Sequence, residues 1–179
     1  DLRLALADLR SAVAIVPQEG FLFTATLADN VRYGDPGASI SRVSQATRQA
    51  RLEDDIRGFP DGFDTLVGER GITLSGGQRQ RTALARALLL QAPVLVLDDA
   101  LASVDNSTAA AILAEVRQQQ RRTVLMISHQ LSAAAACDRI LVLDQGQLVQ
   151  QGHHAELLNL DGTYRRLWER EQVERLQAA

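Results

Sequence analysis

Several short stretches of this chain end in residues able to do chemistry. "VLVLDD" (94–99) is an apolar run closed by two adjacent carboxylates, Asp98 and Asp99. The C-terminal end of a buried strand is the edge where α/β sheets bind ligands. There the first acid is placed to hold Mg²⁺ through water, and the second to orient or deprotonate an attacking water. A turn that holds two solvated acids would read the same way. "MISHQ" (126–130) ends another run at His129, and "VPQEG" (16–20) ends a third at Gln18. Each alone is as readily structural as catalytic. The weight lies in their conjunction, because a parallel sheet would bring Gln18, Asp98, Asp99 and His129 to one crevice.

A different chemistry is written in "LSGGQRQR" (74–81). Ser75, Gly76 and Gly77 precede a stretch of helical composition, and a helix N-terminus with unpaired N–H groups can hold an anion. Phosphate loops of the G-x-x-x-x-G-K-[ST] kind also need a lysine. The chain has none, since all 19 basic residues are Arg. Either the turn is only a helix cap, or its phosphate is held mainly by another chain.

The elements that must position these residues follow from periodicity. Apolar runs at 12–18, 93–99, 123–129 and 139–146 are bounded by polar or turn residues, as parallel strands covered on both faces should be. Helical patterns at about 78–91, 106–120 and 131–136 separate them, which predicts an α/β fold with a parallel sheet. "QLVQQG" (147–152) should pair with the preceding strand through a turn at Gln145-Gly146. A last helix over about 154–170 carries a possible break at Asp161-Gly162. Between the first two strands, 24–91 reads as an inserted helical subdomain, with patterns in "TATLADNVRYG" and "SISRVSQATRQARLEDDI". The α/β core would then comprise 1–23 and 92–179.

Composition narrows the function classes. The 179 residues suffice for one domain, and 46% hydrophobic with 23% charged residues is ordinary for a globular protein. A net charge of −3 gives no electrostatic footprint for nucleic acid. Cys137 stands alone, so no intrachain disulfide can form and a reducing compartment fits. No apolar run is long enough to span a bilayer, and no charged-then-apolar leader opens the chain. The text begins mid-pattern at Asp1, as a segment of something longer would.

Taken in order, these stretches resemble the nucleotide-binding domain of an ABC transporter of the exporter type. "LSGGQRQR" is similar to the family signature, "VPQEGFLFTATLADNVRYGD" to the Q-loop and the helix after it, and "LVGERGITLSGGQ" to the exporter loop that leads into the signature. "VLVLDDALASVD" resembles the Walker B strand and D-loop, and "MISHQLSAAAACDRILVLDQGQLVQQGHHAELL" the H-loop and the strands beyond. The resemblance implies a P-loop NTPase-like parallel sheet with a helical subdomain carrying the signature. It implies ATP and Mg²⁺ as ligands, Asp98 and Gln18 at the metal, Asp99 polarising water, and His129 at the γ-phosphate. Two such domains meet head to tail, so Ser75, Gly76, Gly77 and Gln78 would grip the ATP held by a second nucleotide-binding domain, with Asp105 in the D-loop. The second domain could be identical or different. Part of 19–33 and the loop 67–71 would meet the coupling helices of a transmembrane domain, at the cytoplasmic face of the cell (inner) membrane.

Three departures qualify the match. The P-loop and the adenine-stacking aromatic lie upstream in the family and are not within 1–179. The acid after Asp98 is usually Glu and here is Asp99. The D-loop reads "ASVD", with Ala102 where a hydroxyl is usual. The second departure leaves open a degenerate, regulatory site of a heterodimeric multidrug exporter, although His129 is kept. A soluble, non-transport ABC protein is the other alternative, and the exporter-like "VGERG" loop argues against it. Without a lysine-bearing phosphate cradle, Asp98 and Asp99 repel a nucleotide polyanion, so the purified 179-residue chain is expected to bind ATP poorly and not to hydrolyse it. Micromolar affinity in isothermal titration would contradict this.

Overall fold

In the computed structural model, which describes residues 5–68, 72–118 and 122–177, the apolar runs become strands and the stretches between them helices. Helix α1 (Leu6–Ala12) passes directly into strand β1 (Val13–Val16). A short strand β2 (Ala25–Thr26) leads into α2 (Leu27–Arg32), whose N-cap Thr26 accepts a hydrogen bond from Asp29 N. Helix α3 (Ile40–Gln49) starts in the same way, at Ser39. Next come α4 (Glu53–Gly58), a 3₁₀ turn at Gly62–Asp64, and β3 (Leu66–Val67), antiparallel to β2. Helix α5 (Gly76–Leu89), β4 (Val94–Asp98), α6 (Asn106–Gln118) and β5 (Thr123–Ile127) complete a first compact unit, Asp1–Ile127. The second unit, Ser128–Ala179, holds α7 (Leu131–Ala135), β6 (Ile140–Asp144), β7 (Gln147–Gly152), α8 (His154–Asn159) and α9 (Thr163–Gln177).

The first unit is organised by a parallel sheet in the order β1-β4-β5. Val16 stands opposite Leu97 and Asp98 opposite Ile127, so all three strands leave the sheet at one edge. Ala14, Val16, Leu95 and Leu97 point to the covered face and share one core with Val43 of α3, Leu84 and Leu88 of α5, and Ile112 and Val116 of α6. The helices inserted between β1 and β4 are therefore fastened to the sheet through α5. In the second unit Ile140, Val142, Leu157 and the fully buried Tyr164 form a separate small core. Tyr164 Oη lies 2.7 Å from His154 Nδ1, so its hydroxyl is not stranded.

Three expectations need correction. Four parallel strands were expected and three form; β6 pairs antiparallel with β7 through the turn at Gln145-Gly146, both at positive φ. That turn was expected, and a two-residue connection can join only antiparallel neighbours. The strands were also expected to be covered on both faces, yet Ile15, Leu125 and Ile127 are 61%, 54% and 56% exposed. The one long helical pattern at 39–56 divides into α3 and α4. Arg51 takes a positive φ of 54°, and Leu52 N bonds back to Thr47 O, ending α3 and burying Leu52. The expected break in the last helix is present, between α8 and α9. Residues 119 and 120 of the expected 106–120 helix, and 69–71 of the 67–71 loop, lie outside the described residues.

An apolar sheet face open to water contributes nothing to stability and favours association. The 179-residue chain by itself is expected to melt below about 60 °C, in the upper part of the range for mesophile domains, and to aggregate on heating. A cooperative, reversible calorimetric transition above that temperature would contradict the account.

Candidate functional site

Helix α5 opens with a closed capping box. Ser75 Oγ accepts from Gln78 N at 3.2 Å, and Gln78 Oε1 accepts from Ser75 N at 2.9 Å. Two of the orphan groups at this helix start are thereby satisfied, whereas Gly76 and Gly77, the first two helical residues, keep N–H groups with no intrahelical acceptor. Ser75 is exposed and the two glycines are half-buried. The Ser75 hydroxyl accepts within the box and still has its proton to donate.

This turn is pressed against the loop that follows β4. A Cβ on Gly77 would stand 2.8 Å from Ser103 O, closer than real Cβ contacts allow. Ser103 N donates to Gln80 Oε1 at 2.8 Å, and Gln80 is buried in the first turns of α5. The loop between Asp99 and Asp105 is thus tied to the signature turn of its own chain. Asp105 ends the loop as the cap of α6, accepting from Ser107 Oγ at 2.6 Å and Thr108 N at 2.9 Å. Those bonds, the Ser107 hydroxyl first, hold its carboxyl well below the usual carboxylate range.

Asp98 closes β4 half-buried, and Asp99 follows at a positive φ of 47°. Asp is among the residues that tolerate this left-handed region. The conformation is held at both ends: Asp99 N donates to Ile127 O at 2.9 Å, and Asp99 O accepts from Ala102 N at 3.2 Å. Among the described residues neither carboxylate has a hydrogen-bond or ion-pair partner. Gln18 is exposed, two residues past Val16, and leaves the sheet at the same edge as Asp98. His129 is exposed in the second unit, two residues past the end of β5.

The segment after Gln18 is anchored by residues the sequence analysis did not single out. Asn30, fully buried, accepts from Phe23 N at 2.8 Å and donates to Phe23 O at 3.0 Å and Thr26 O at 3.1 Å. Arg86 of α5 donates to Asn30 O at 2.8 Å and Phe21 O at 3.0 Å, and its guanidinium lies 5.7 Å and 5.4 Å from the Phe23 and Tyr33 ring centres. Burial pushes the Arg86 pKa down, with Tyr33 opposing. Gly20 permits this packing, because a Cβ there would meet the Ala83 Cβ at 2.9 Å. A polar residue on an otherwise apolar helix face was the only available signal for Gln80 and Arg86.

The family model described as "ABC transporter" matches residues 3–102. The chain belongs to the ABC transporter family. It is 45% identical over 93% of its length to an ATM1-type heavy metal exporter of Novosphingobium aromaticivorans, spanning 28% of that protein. To the multidrug resistance-like ATP-binding protein MdlA of Escherichia coli it is 44% identical over 96%, spanning 29%. The solved structure of a bacterial Atm1-family ABC exporter with ATP bound superposes with a TM-score of 0.88 at 45% identity, over 93% of this chain and 30% of that one. The parallel-sheet α/β fold is therefore that of the ATPase part of an exporter. The chain spans under a third of these relatives, and among the described residues no helix is long and apolar enough to cross a membrane.

The depressed Asp105 acidity carries a signed consequence. A carboxyl whose folded pKa lies below its unfolded value of 3.8 adds stability above about pH 4 and loses it as the pH falls further. Asp105→Asn should therefore be less stable than the parent at pH 7, with the two denaturation curves converging as the pH drops below 4. Curves that stay parallel would contradict the lowered pKa of Asp105.

Proposed function

We propose that this ABC transporter segment binds and hydrolyses ATP as part of an exporter, and that ATP-dependent closure against a second nucleotide-binding domain drives transport. The single observation carrying this reading is the signature turn: a capping box closed on itself, two glycine N–H groups and a hydroxyl proton left over, seated against the loop from Asp99 to Asp105. Such a turn offers donors but no lysine, which suits a phosphate already cradled by another domain. Ser75, Gly76, Gly77 and Gln78 would act on the partner's ATP. Asp99 would polarise the attacking water, and His129 would contact the γ-phosphate.

The donor set at the end of β4 fits Mg²⁺. Asp98 and Gln18 supply hard oxygen ligands, few in number, as expected for an ion that keeps waters and takes phosphate oxygens. When bound, the ion would neutralise charge on the β- and γ-phosphates. The segment around Phe21, Phe23 and Tyr33 would receive the cytoplasmic ends of transmembrane helices, and the domain would lie at the cytoplasmic face of the membrane. Asp99 favours a second reading in which this site turns over slowly and regulates its partner, because its carboxylate is one methylene shorter than the family's Glu. A misplacement of about 1 Å can cost on the order of 10²-fold in rate.

Asp99→Glu in the full-length transporter discriminates the two roles of that residue. The bonds to Ile127 and Ala102 are made by the Asp99 backbone and hold its positive φ, so the loop is kept while the carboxylate advances. Hydrolysis at this site is expected to rise at least ~10-fold, equivalent to about 1.4 kcal/mol of barrier. Site-resolved ATP turnover in detergent or membranes checks this, and no gain would refute Asp99 as the limiting group.

A further inference from the structure

The capping box at Ser75 contains an amide whose orientation something must fix. A Gln side chain turned over by 180° has the same shape but exchanges its donor and acceptor ends. In one orientation Gln78 Oε1 meets Ser75 N–H; in the other, two donors face each other and the box fails. Asp55 decides between them. It lies on α4, 23 positions before Gln78, and its Oδ1 accepts from Gln78 Nε2 at 2.8 Å. An ionised carboxylate only accepts, so it draws the NH₂ end toward itself and leaves Oε1 for Ser75 N. The other oxygen, Oδ2, accepts from Arg81 at 2.6 Å, and the pair is largely shielded, at 15% and 21% side-chain exposure. Arg81 also donates to Arg51 O, where the chain turns between α3 and α4.

We propose that Asp55 is a positioning residue for the signature turn, setting the polarity of the Ser75–Gln78 box so that the Ser75 hydroxyl and the Gly76 and Gly77 N–H groups remain for a phosphate. Asp55 does not touch the nucleotide; it acts through Gln78. The inference rests on the reading of the signature turn as a site for the partner's ATP.

The test is a set of variants of the full-length transporter, read as kcat and KM for ATP, with melting temperatures as the folding control. Asp55→Ala is expected to lower kcat about tenfold, the loss typical of a charge-assisted hydrogen bond. Asp55→Glu keeps a group that only accepts and should stay within about threefold of the parent, a rescue that simple loss of α4 packing would not show. Gln78→Ala should be at least as slow as Asp55→Ala, and the double variant no slower than Gln78→Ala, as expected where Asp55 acts only through Gln78. If Asp55→Ala fails to fold, the comparison of Asp55→Glu with Gln78→Ala carries the test. Multiplicative losses in the double variant, or a Glu variant as slow as Gln78→Ala, overturn the proposal. Ser75→Ala separates the two levels. If it hydrolyses ATP normally, both the signature reading and the role of Asp55 fall; if it is inactive while Asp55→Ala retains full activity, only the role of Asp55 falls.

Discussion

The contact between the Ser103 carbonyl and the bare Cα of Gly77 is the constraint on which the rest of the first unit depends. With no Cβ at Gly77, the loop after β4 lies flat against the start of α5, and the hydrogen bond from Ser103 N to Gln80 secures it. The loop is in turn fixed to the sheet by Asp99, whose N–H continues the ladder to Ile127. The chain of contacts therefore runs from strand end, through the loop, to the donors of the signature turn. Displacing Asp98 and Asp99 would displace Ser75, and the reverse also holds.

Helix α5 extends the same logic to its other end. Its apolar face enters the sheet core at Leu84 and Leu88, while Arg86 reaches out to Asn30, Phe21 and the Phe23 and Tyr33 rings. One rigid helix thus carries the N–H groups of Gly76 and Gly77 at its start and holds the segment after Gln18 near its finish. At 1.5 Å per residue the two are about 16 Å apart. An unpaired buried Arg or Asn would be costly, and here both are satisfied, so the polar junction fixes one geometry in place of many.

Much of this was legible in the sequence because it is local. Apolar runs ending in Asp98, Gln18 and His129 mark strand ends, and Ser-Gly-Gly before a stretch of helical composition marks a helix start. The Gln145-Gly146 turn was legible for the same reason. What escaped is long-range. Asp55 meets Gln78 and Arg81 only after α3 has been ended at Arg51, and a non-glycine residue at positive φ leaves no trace in composition. Nor could spacing show that Ile15, Leu125 and Ile127 share an open face, since an apolar run reads alike whether one face or both are covered. The parallel pairing expected for β6 fails because the turn fixes only its β7 side, and an apolar run does not show whether the other edge joins a sheet; among the described residues β6 pairs with β7 alone.

The central claim is that the glycine pair allows the loop after β4 to set the signature turn. It is tested most directly by amide hydrogen exchange of the segment 99–105 in Gly77→Ala, compared with the parent in the full-length transporter. The added methyl group collides with Ser103 O, so the Ser103 N–H bond to Gln80 should break and protection across this loop should fall, while that of β4 is kept. Unchanged protection at Ser103 would contradict the account.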